Sequence, residues 1–288
     1  MTRSPELEQQ TEGWRFLLSR RWAGYLCLTI VFAIVCCLLG NWQFARRAEA
    51  RAEIARIDAN YDAAVVPLQQ ALPELDSYDD ETQKWSQVTA SGTYLTEHQT
   101  LVRIRPLNGS PGFEVLVPLL LDDGSVFIVD RGWLPAGSTT DSPDIVPDAP
   151  EGRVTVIARL KAGEPELASR TAGEGQIATI HLPDMANRVD KPAFTGAYGL
   201  LVSEDPSVEL TPVLATKPER DEGPHLSYAL QWYVFALMGF IGLGWAARQE
   251  YRNINAADPE ERERARKRAE KARLKRTDSE IEDELLDA

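Results

Sequence analysis

Two long runs without a charged residue limit how this chain can fold. The second, at residues 226–247, follows directly on His225. As a helix rising about 1.5 Å per residue, it is long enough to cross the roughly 30 Å hydrocarbon core of a bilayer. The first run, at residues 22–45, has 24 residues without a charge and a tryptophan near each end. Both runs predict transmembrane helices, at 22–45 and 225–247.

The second span has an unusual polar start. His225, Tyr228 and Trp232 stand at positions i, i+3 and i+7, so they share one helix face at one membrane surface. Trp42 closes the first span and is expected at the same surface. One interpretation is an ordinary polar first turn with interfacial aromatic anchors. The other is a binding site built around the imidazole.

The flanking charges predict an orientation. Near the two spans, ten Lys and Arg residues lie on the terminal sides and six lie on the intervening side. The positive-inside rule then puts both termini in the cytoplasm and the middle outside. After the first run, the Ala-Glu-Ala sequence at 48–50 resembles a signal-peptide cleavage site. The run is longer than a signal core, however, and two arginines intervene before that sequence, which favours a retained helix. We expect a multi-pass protein of the cell membrane, anchored in the lipid bilayer.

Charge and cysteine content exclude several classes of protein. Between residues 46 and 224, acidic residues outnumber basic ones by 29 to 16, which argues against a nucleic-acid partner. The three cysteines, Cys27, Cys36 and Cys37, all lie in the first span. The middle segment therefore has neither a disulfide framework nor a Cys-x-x-Cys site.

The middle segment has the alternation of a β domain. Strands are predicted at 88–95, broken at Gly92, then around Val102 and Ile104, and at 112–121, 126–133, 154–160 and 196–202. A hairpin tip is predicted at 122–124, and a short helix at 182–189. The fold class is therefore an α+β membrane protein: two transmembrane helices flank an extracytoplasmic, mostly antiparallel β domain, curled into a barrel or a sandwich. The predicted domains are 1–21 (cytoplasmic segment), 22–45, 46–224, 225–247 and 248–288 (charged cytoplasmic tail).

A search for catalytic motifs favours a protein that is not an enzyme. The other two histidines, His98 and His181, are interpreted as a solvated turn residue and a structural residue at a strand-to-helix junction. Arg131 stands beside Gly132 and Trp133 at the end of an apolar strand. It is suited either to holding a carboxylate against an apolar wall or to bonding backbone carbonyls at the end of the sheet.

Three stretches carry a family resemblance. The first span ends in LGNWQFARRAEA, the β segment contains SPGFEVLVPLLLDDGSVFIVDRGWLPAG, and the second span opens with PHLSYALQWYVFAL. In this order they resemble the Surfeit-one family (Shy-one in yeast usage) of cytochrome c oxidase assembly factors, over about 20–247. The polar tail is outside that pattern and is similar to those of actinobacterial members.

The resemblance implies a role in maturing an aa3-type oxidase, with the catalytic subunit as partner and haem a as a transient cofactor. It implies that His225 is an axial ligand of the haem iron. Tyr228, Trp232 and Trp42 are then candidates to pack on the ring, and Arg131 to pair with a propionate if the β domain folds down onto the membrane. The alternatives are a permanent structural subunit of a respiratory complex that binds no haem, and an extracytoplasmic small-molecule binder.

Overall fold

The computed structural model describes residues 13–138, 142–167, 173, 175–256 and 258–286, with side chains described through residue 272. Residues 1–12 of the predicted N-terminal segment lie outside the described residues, as do the last two residues of the tail. The helices are α1 (Arg20–Asn60), α2 (Leu68–Ala71), α3 (Asp80–Gln83), α4 (Leu182–Val189), α5 (His225–Ile254) and α6 (Pro259–Leu286). The strands are β1 (Val66–Pro67), β2 (Gln87–Tyr94), β3 (Thr100–Val102), β4 (Gly112–Leu121), β5 (Val126–Pro135), β6 (Arg153–Ala162), β7 (Gln176–Ile177) and β8 (Ala197–Asp205).

Two of the helices contain the uncharged runs. By length and composition, α1 and α5 are long and apolar enough to cross a membrane. Both extend beyond the predicted spans: α1 continues to Asn60 without a break, and α5 continues to Ile254. The chain divides into a helical unit, from the described parts of 1–48 and 223–288, and a β unit, 49–222.

Small residues bring α1 and α5 close together in the helical unit. A Cβ atom added at Gly40 of α1 would lie 2.9 Å from Cε2 of Tyr233 on α5. One added at Gly239 would lie 3.3 Å from Cδ1 of Phe32. The Tyr233 hydroxyl donates to Oδ1 of Asn41 at 2.9 Å. Membrane helices commonly associate through such small residues, which let the two backbones approach, together with interhelical hydrogen bonds.

Five strands of the β unit close into a barrel. β2 pairs with β6, β6 with β8, β8 with β5, β5 with β4, and β4 with β2. Only the β5–β8 pairing in this ring is parallel. β1 adds to β2, while β3 and then β7 extend the sheet from β4. The predicted fold class, a mostly antiparallel β domain with two flanking apolar helices, is confirmed.

Gly92 is located where the barrel closes. It pairs with Leu121 on β4 and with Val154 on β6, so β2 joins β4 there while it stays paired with β6. A Cβ atom at this position would lie 2.1 Å from the carbonyl oxygen of Leu120, and only glycine permits that approach. The prediction that Gly92 breaks the strand is wrong, because the strand continues through it and bends.

Several predictions of local structure are confirmed, and one predicted strand is too long. The hairpin tip at 122–124 joins β4 to β5, and α4 covers the predicted 182–189. β3 ends at Val102, before Ile104, whose φ of 59° leaves the extended region. The predicted alternation of Val102 and Ile104 in one strand is therefore wrong at its second residue.

Candidate functional site

The first residue of α5 is held by the end of the apolar run of α1. Nδ1 of His225 lies 2.7 Å from Oε1 of Gln43. Gln43 stands three residues after Gly40, which packs against the ring of Tyr233 on α5. Close packing at Gly40 thus brings together two side chains that are 182 residues apart in the sequence.

This hydrogen bond fixes the chemistry of the imidazole. An amide oxygen accepts but does not donate, so Nδ1 of His225 donates to Gln43, and in the neutral ring the lone pair is then on Nε2. Among the described residues, Nε2 has no hydrogen-bond partner. Metal-binding histidines are oriented in this way, by a second hydrogen bond from the ring nitrogen that does not bind the metal. The site can therefore offer one neutral imidazole nitrogen to a ligand.

The aromatic candidates differ in how available they are. Trp42 and Tyr228 are 56% and 48% exposed. Trp232 is half-buried and packs edge-on against Phe235, with ring centroids 5.8 Å apart. Trp42 and Tyr228 thus present open ring surface on the two helices joined by His225 and Gln43. Sequence reasoning named the aromatic residues and missed Gln43, although a polar residue next to Trp42 in an uncharged run is the signal that would have found it.

Arg131 does not belong to this site. It lies within the β unit and is fully buried, and its Nη2 and Nε donate to Glu204 at 2.7 and 3.3 Å. Its Nη1 donates to the carbonyl oxygen of Pro147 at 3.2 Å, and its guanidinium lies over the ring of Tyr94. The proposed pairing with a haem propionate is therefore wrong for this residue. Arg131 does bind a carboxylate beside an aromatic ring, but that carboxylate is the side chain of Glu204 and the ring is that of Tyr94.

The β unit also contains a second polar cluster, half-buried except for the buried Asp130, that sequence reasoning missed. Nε of Arg105 lies 2.9 Å from Oε2 of Glu114, and its Nη2 lies 2.5 Å from Oε2 of Glu164. Burial raises the pKa of Asp130 well above its ordinary value, and repulsion from Glu114 adds to this. Burial also raises the pKa of Glu114, against the attraction of Arg105. Glu114 and Asp130 lie on β4 and β5, while Arg105 and Glu164 lie in the segments that follow β3 and β6, so their sequence positions do not reveal the cluster.

The cluster lies beside a cavity of about 320 Å³ that Asp130, Glu114 and Trp133 help to line. The backbone N–H of Gly132 donates to Oδ1 of Asp130 at 3.0 Å, and the indole of Trp133 donates to the carbonyl oxygen of Arg105 at 2.6 Å. Through these contacts the Arg-Gly-Trp sequence has a structural role within the barrel. No group of three or more metal-ligating side chains occurs among the described residues.

The other two histidines belong to the β unit. His98 is in a single turn of 3-10 helix at Thr96–His98. His181 precedes α4, and its Nδ1 lies 3.1 Å from Oδ1 of Asp184. These positions agree with their interpretation as turn and junction residues. His225 is therefore the histidine that the apolar helices present.

The fold and the site define a class: proteins with two apolar, membrane-length helices, a β barrel between them, and a histidine at the start of the second helix. The SURF1 family model matches residues 30–237. Uncharacterised SURF1-like proteins of Mycobacterium bovis and of two Mycobacterium tuberculosis strains are each 34% identical over 242 residues, covering 82% of this chain and 87% of the relative. The chain belongs to the SURF1 family, and the predicted family membership is confirmed.

Proposed function

We propose that this protein is a membrane-anchored, non-enzymatic assembly factor that holds haem a for insertion into the catalytic subunit of an aa3-type cytochrome c oxidase. The SURF1 family is associated with assembly of that oxidase. The observation that carries the haem part of the proposal is the bond between His225 and Gln43. It orients the imidazole at the start of an apolar helix through Nδ1, which leaves Nε2 for a ligand.

The chemistry of the site fits a haem as cargo. Iron in haem takes a neutral histidine nitrogen as axial ligand, and Nε2 of His225 supplies it. Trp42 and Tyr228 offer exposed aromatic surface to an apolar ring. A single axial nitrogen suits temporary holding and later release.

The proposed orientation follows from the flanking charges. Both termini face the cytoplasm and the β unit faces outward, because Lys and Arg are concentrated on the terminal sides of the spans. Protease added to intact spheroplasts should then cleave the β unit and spare the termini. Cleavage of the termini with an intact β unit would contradict this orientation.

The haem proposal is tested by purifying the protein from cells that make haem a. We expect a visible absorbance band in the natural protein and in His98→Ala, and its loss in His225→Ala. His98 is the matched control, since it is a histidine in a turn of the β unit. A band that survives in His225→Ala would exclude this ligand. Colourless protein under all conditions, recovered in equal amount with mature oxidase, would favour a permanent structural subunit.

A further inference from the structure

The end of the helical unit away from His225 contains a basic pocket. The cavity has a volume of about 370 Å³, and Trp14, Gly244 and Tyr251 line it on one side. Four arginines complete it, together with one acidic residue, Glu261. The arginines come in pairs from two helices: Arg248 and Arg252 from α5, and Arg264 and Arg268 from α6.

Among the described residues, two of these arginines form no close ion pair, and Arg252 acts on Glu261 only through longer-range attraction. Glu261 is 6% exposed and is engaged by α6, with Arg268 Nη2 at 2.8 Å from its Oε1 and Arg264 Nη1 at 3.6 Å from its Oε2. Within the described part of the chain, neither Arg248 nor Arg252 lies within 4 Å of a carboxylate. The pocket therefore keeps an excess of positive charge that the protein does not neutralise.

The walls of the pocket are built by contacts of their own. The ring of Trp14 stacks on that of Tyr251, with centroids 4.4 Å apart. The buried Asn255 side chain accepts from the backbone N–H of Gly13 at 3.2 Å and donates to the carbonyl oxygen of Tyr251 at 2.9 Å. A segment before α1 is thereby fixed against the end of α5. The cavity does not depend on a ligand to hold these walls together.

The pocket lies where the apolar surface of the helix pair ends. Gly244 belongs to the last apolar turns of α5, and Arg248 is the first charged residue after them. Trp245, next to Gly244, is 68% exposed, and Leu18, four residues after Trp14, is 88% exposed. Exposed aromatic and aliphatic side chains next to arginines are typical of the level of lipid headgroups.

We propose that this pocket binds a phosphodiester group, as carried by the headgroup of an anionic membrane phospholipid. Guanidinium groups pair with phosphate oxygens through parallel hydrogen bonds, and Arg248 and Arg252 are available to do so. Basic pockets on the cytoplasmic side of membrane helices suit such headgroups. The acyl chains would then extend along the apolar surface beside Gly244. The proposal requires these helices to lie in a membrane, and it does not depend on haem or on oxidase.

The test uses the full chain in detergent with added phosphatidylglycerol, and native mass spectrometry counts the bound lipid. We expect the natural protein to retain phosphatidylglycerol in preference to phosphatidylcholine. The double variant R248Q/R252Q should weaken phosphatidylglycerol binding by about 30-fold. This factor follows from about 1 kcal/mol for each arginine near an anionic lipid, at tenfold per 1.4 kcal/mol. The double variant R266Q/K271Q removes the same charge from exposed positions of α6 outside the pocket, and it should bind normally.

A second pair of variants tests the cavity without changing charge. A Cβ atom at Gly244 meets nothing within 4 Å, so Gly244→Leu should fill the pocket without disturbing the helix. Gly242→Leu is the matched control, because that position is equally open and does not line the pocket. We expect lipid binding to fall in Gly244→Leu and to stay unchanged in Gly242→Leu.

Three results would overturn the proposal. The first is equal retention of phosphatidylglycerol and phosphatidylcholine. The second is equal loss of binding in R248Q/R252Q and R266Q/K271Q, which would indicate general attraction to a basic surface. The third is binding of inorganic phosphate at the pocket with no binding of phosphatidylglycerol, which would indicate a soluble anion. Loss of haem binding in His225→Ala with lipid binding intact would separate this proposal from the proposed function.

Discussion

Replacing Arg131 by methionine should destabilise the β unit severely. Its guanidinium is fully buried and its partner, the Glu204 side chain, is 3% exposed. The Tyr94 hydroxyl also donates to Oε2 of Glu204 at 3.0 Å. Arg131→Met leaves this carboxylate buried without its cation. Breaking a buried ion pair in this way costs about 3–5 kcal/mol.

That loss is large compared with the stability of a typical domain, which is about 5–15 kcal/mol. Thermal unfolding of the purified full chain, followed by near-UV circular dichroism, should show the β transition at a clearly lower temperature. A triple variant, Arg131→Met with Glu204→Leu and Tyr94→Phe, should recover much of the loss, because an apolar set of similar volume leaves no charge unpaired.

The matched control is the ion pair between Arg153 and Asp122, whose side chains are 61% and 63% exposed. Arg153→Gln should not change the unfolding temperature measurably, since solvent screens exposed pairs. If Arg131→Met unfolded at the same temperature as Arg153→Gln, the buried ion pair would not be stabilising the barrel. If Arg131→Met instead changed the haem spectrum without changing the unfolding temperature, Arg131 would belong to the candidate haem site.

Three further outcomes are expected. Because the raised pKa of Asp130 makes the native state lose stability as the pH rises above about 4, Asp130→Asn should be more stable than the natural chain at pH 8 and equal to it at pH 4 in urea unfolding; a gain that is the same at both pH values would contradict this. Gly199→Ala should cost about 1–3 kcal/mol, because its Cβ would lie 2.7 Å from Phe127 Cε1 in the core, and an unchanged unfolding midpoint would refute that reading. Gln43→Leu should leave folding intact and weaken haem retention by about 10–100-fold, as loss of a supporting hydrogen bond does; unchanged retention in a haem titration would exclude a positioning role for Gln43.

Local features of this fold could be predicted from the sequence, and distant pairings could not. The hairpin tip at 122–124 and the helix at 182–189 follow from turn residues and from periodicity within a few positions. Closure of the barrel depends on Gly92 pairing with two strands at once, and its sequence signal is the same as that of a strand break.

The same limit explains what was found and missed at the candidate site. His225 could be identified because a histidine opening an uncharged run is visible within one segment. Its partner, Gln43, lies on the other helix and becomes evident only where Gly40 lets the helices meet. Arg131 was assigned to the wrong carboxylate because Glu204 is 73 residues away, on a strand that pairs with β5 only in the folded barrel.

As proposed, His225 is the residue through which this protein acts as an assembly factor for a haem a oxidase. The most direct measurement is the haem a content of membranes from a strain that lacks the protein, taken from reduced-minus-oxidised spectra per amount of oxidase catalytic subunit. We expect this ratio to fall in the deletion strain and to be restored by the natural chain and by His98→Ala, but not by His225→Ala. An undiminished ratio in the deletion strain, or full restoration by His225→Ala, would contradict the account.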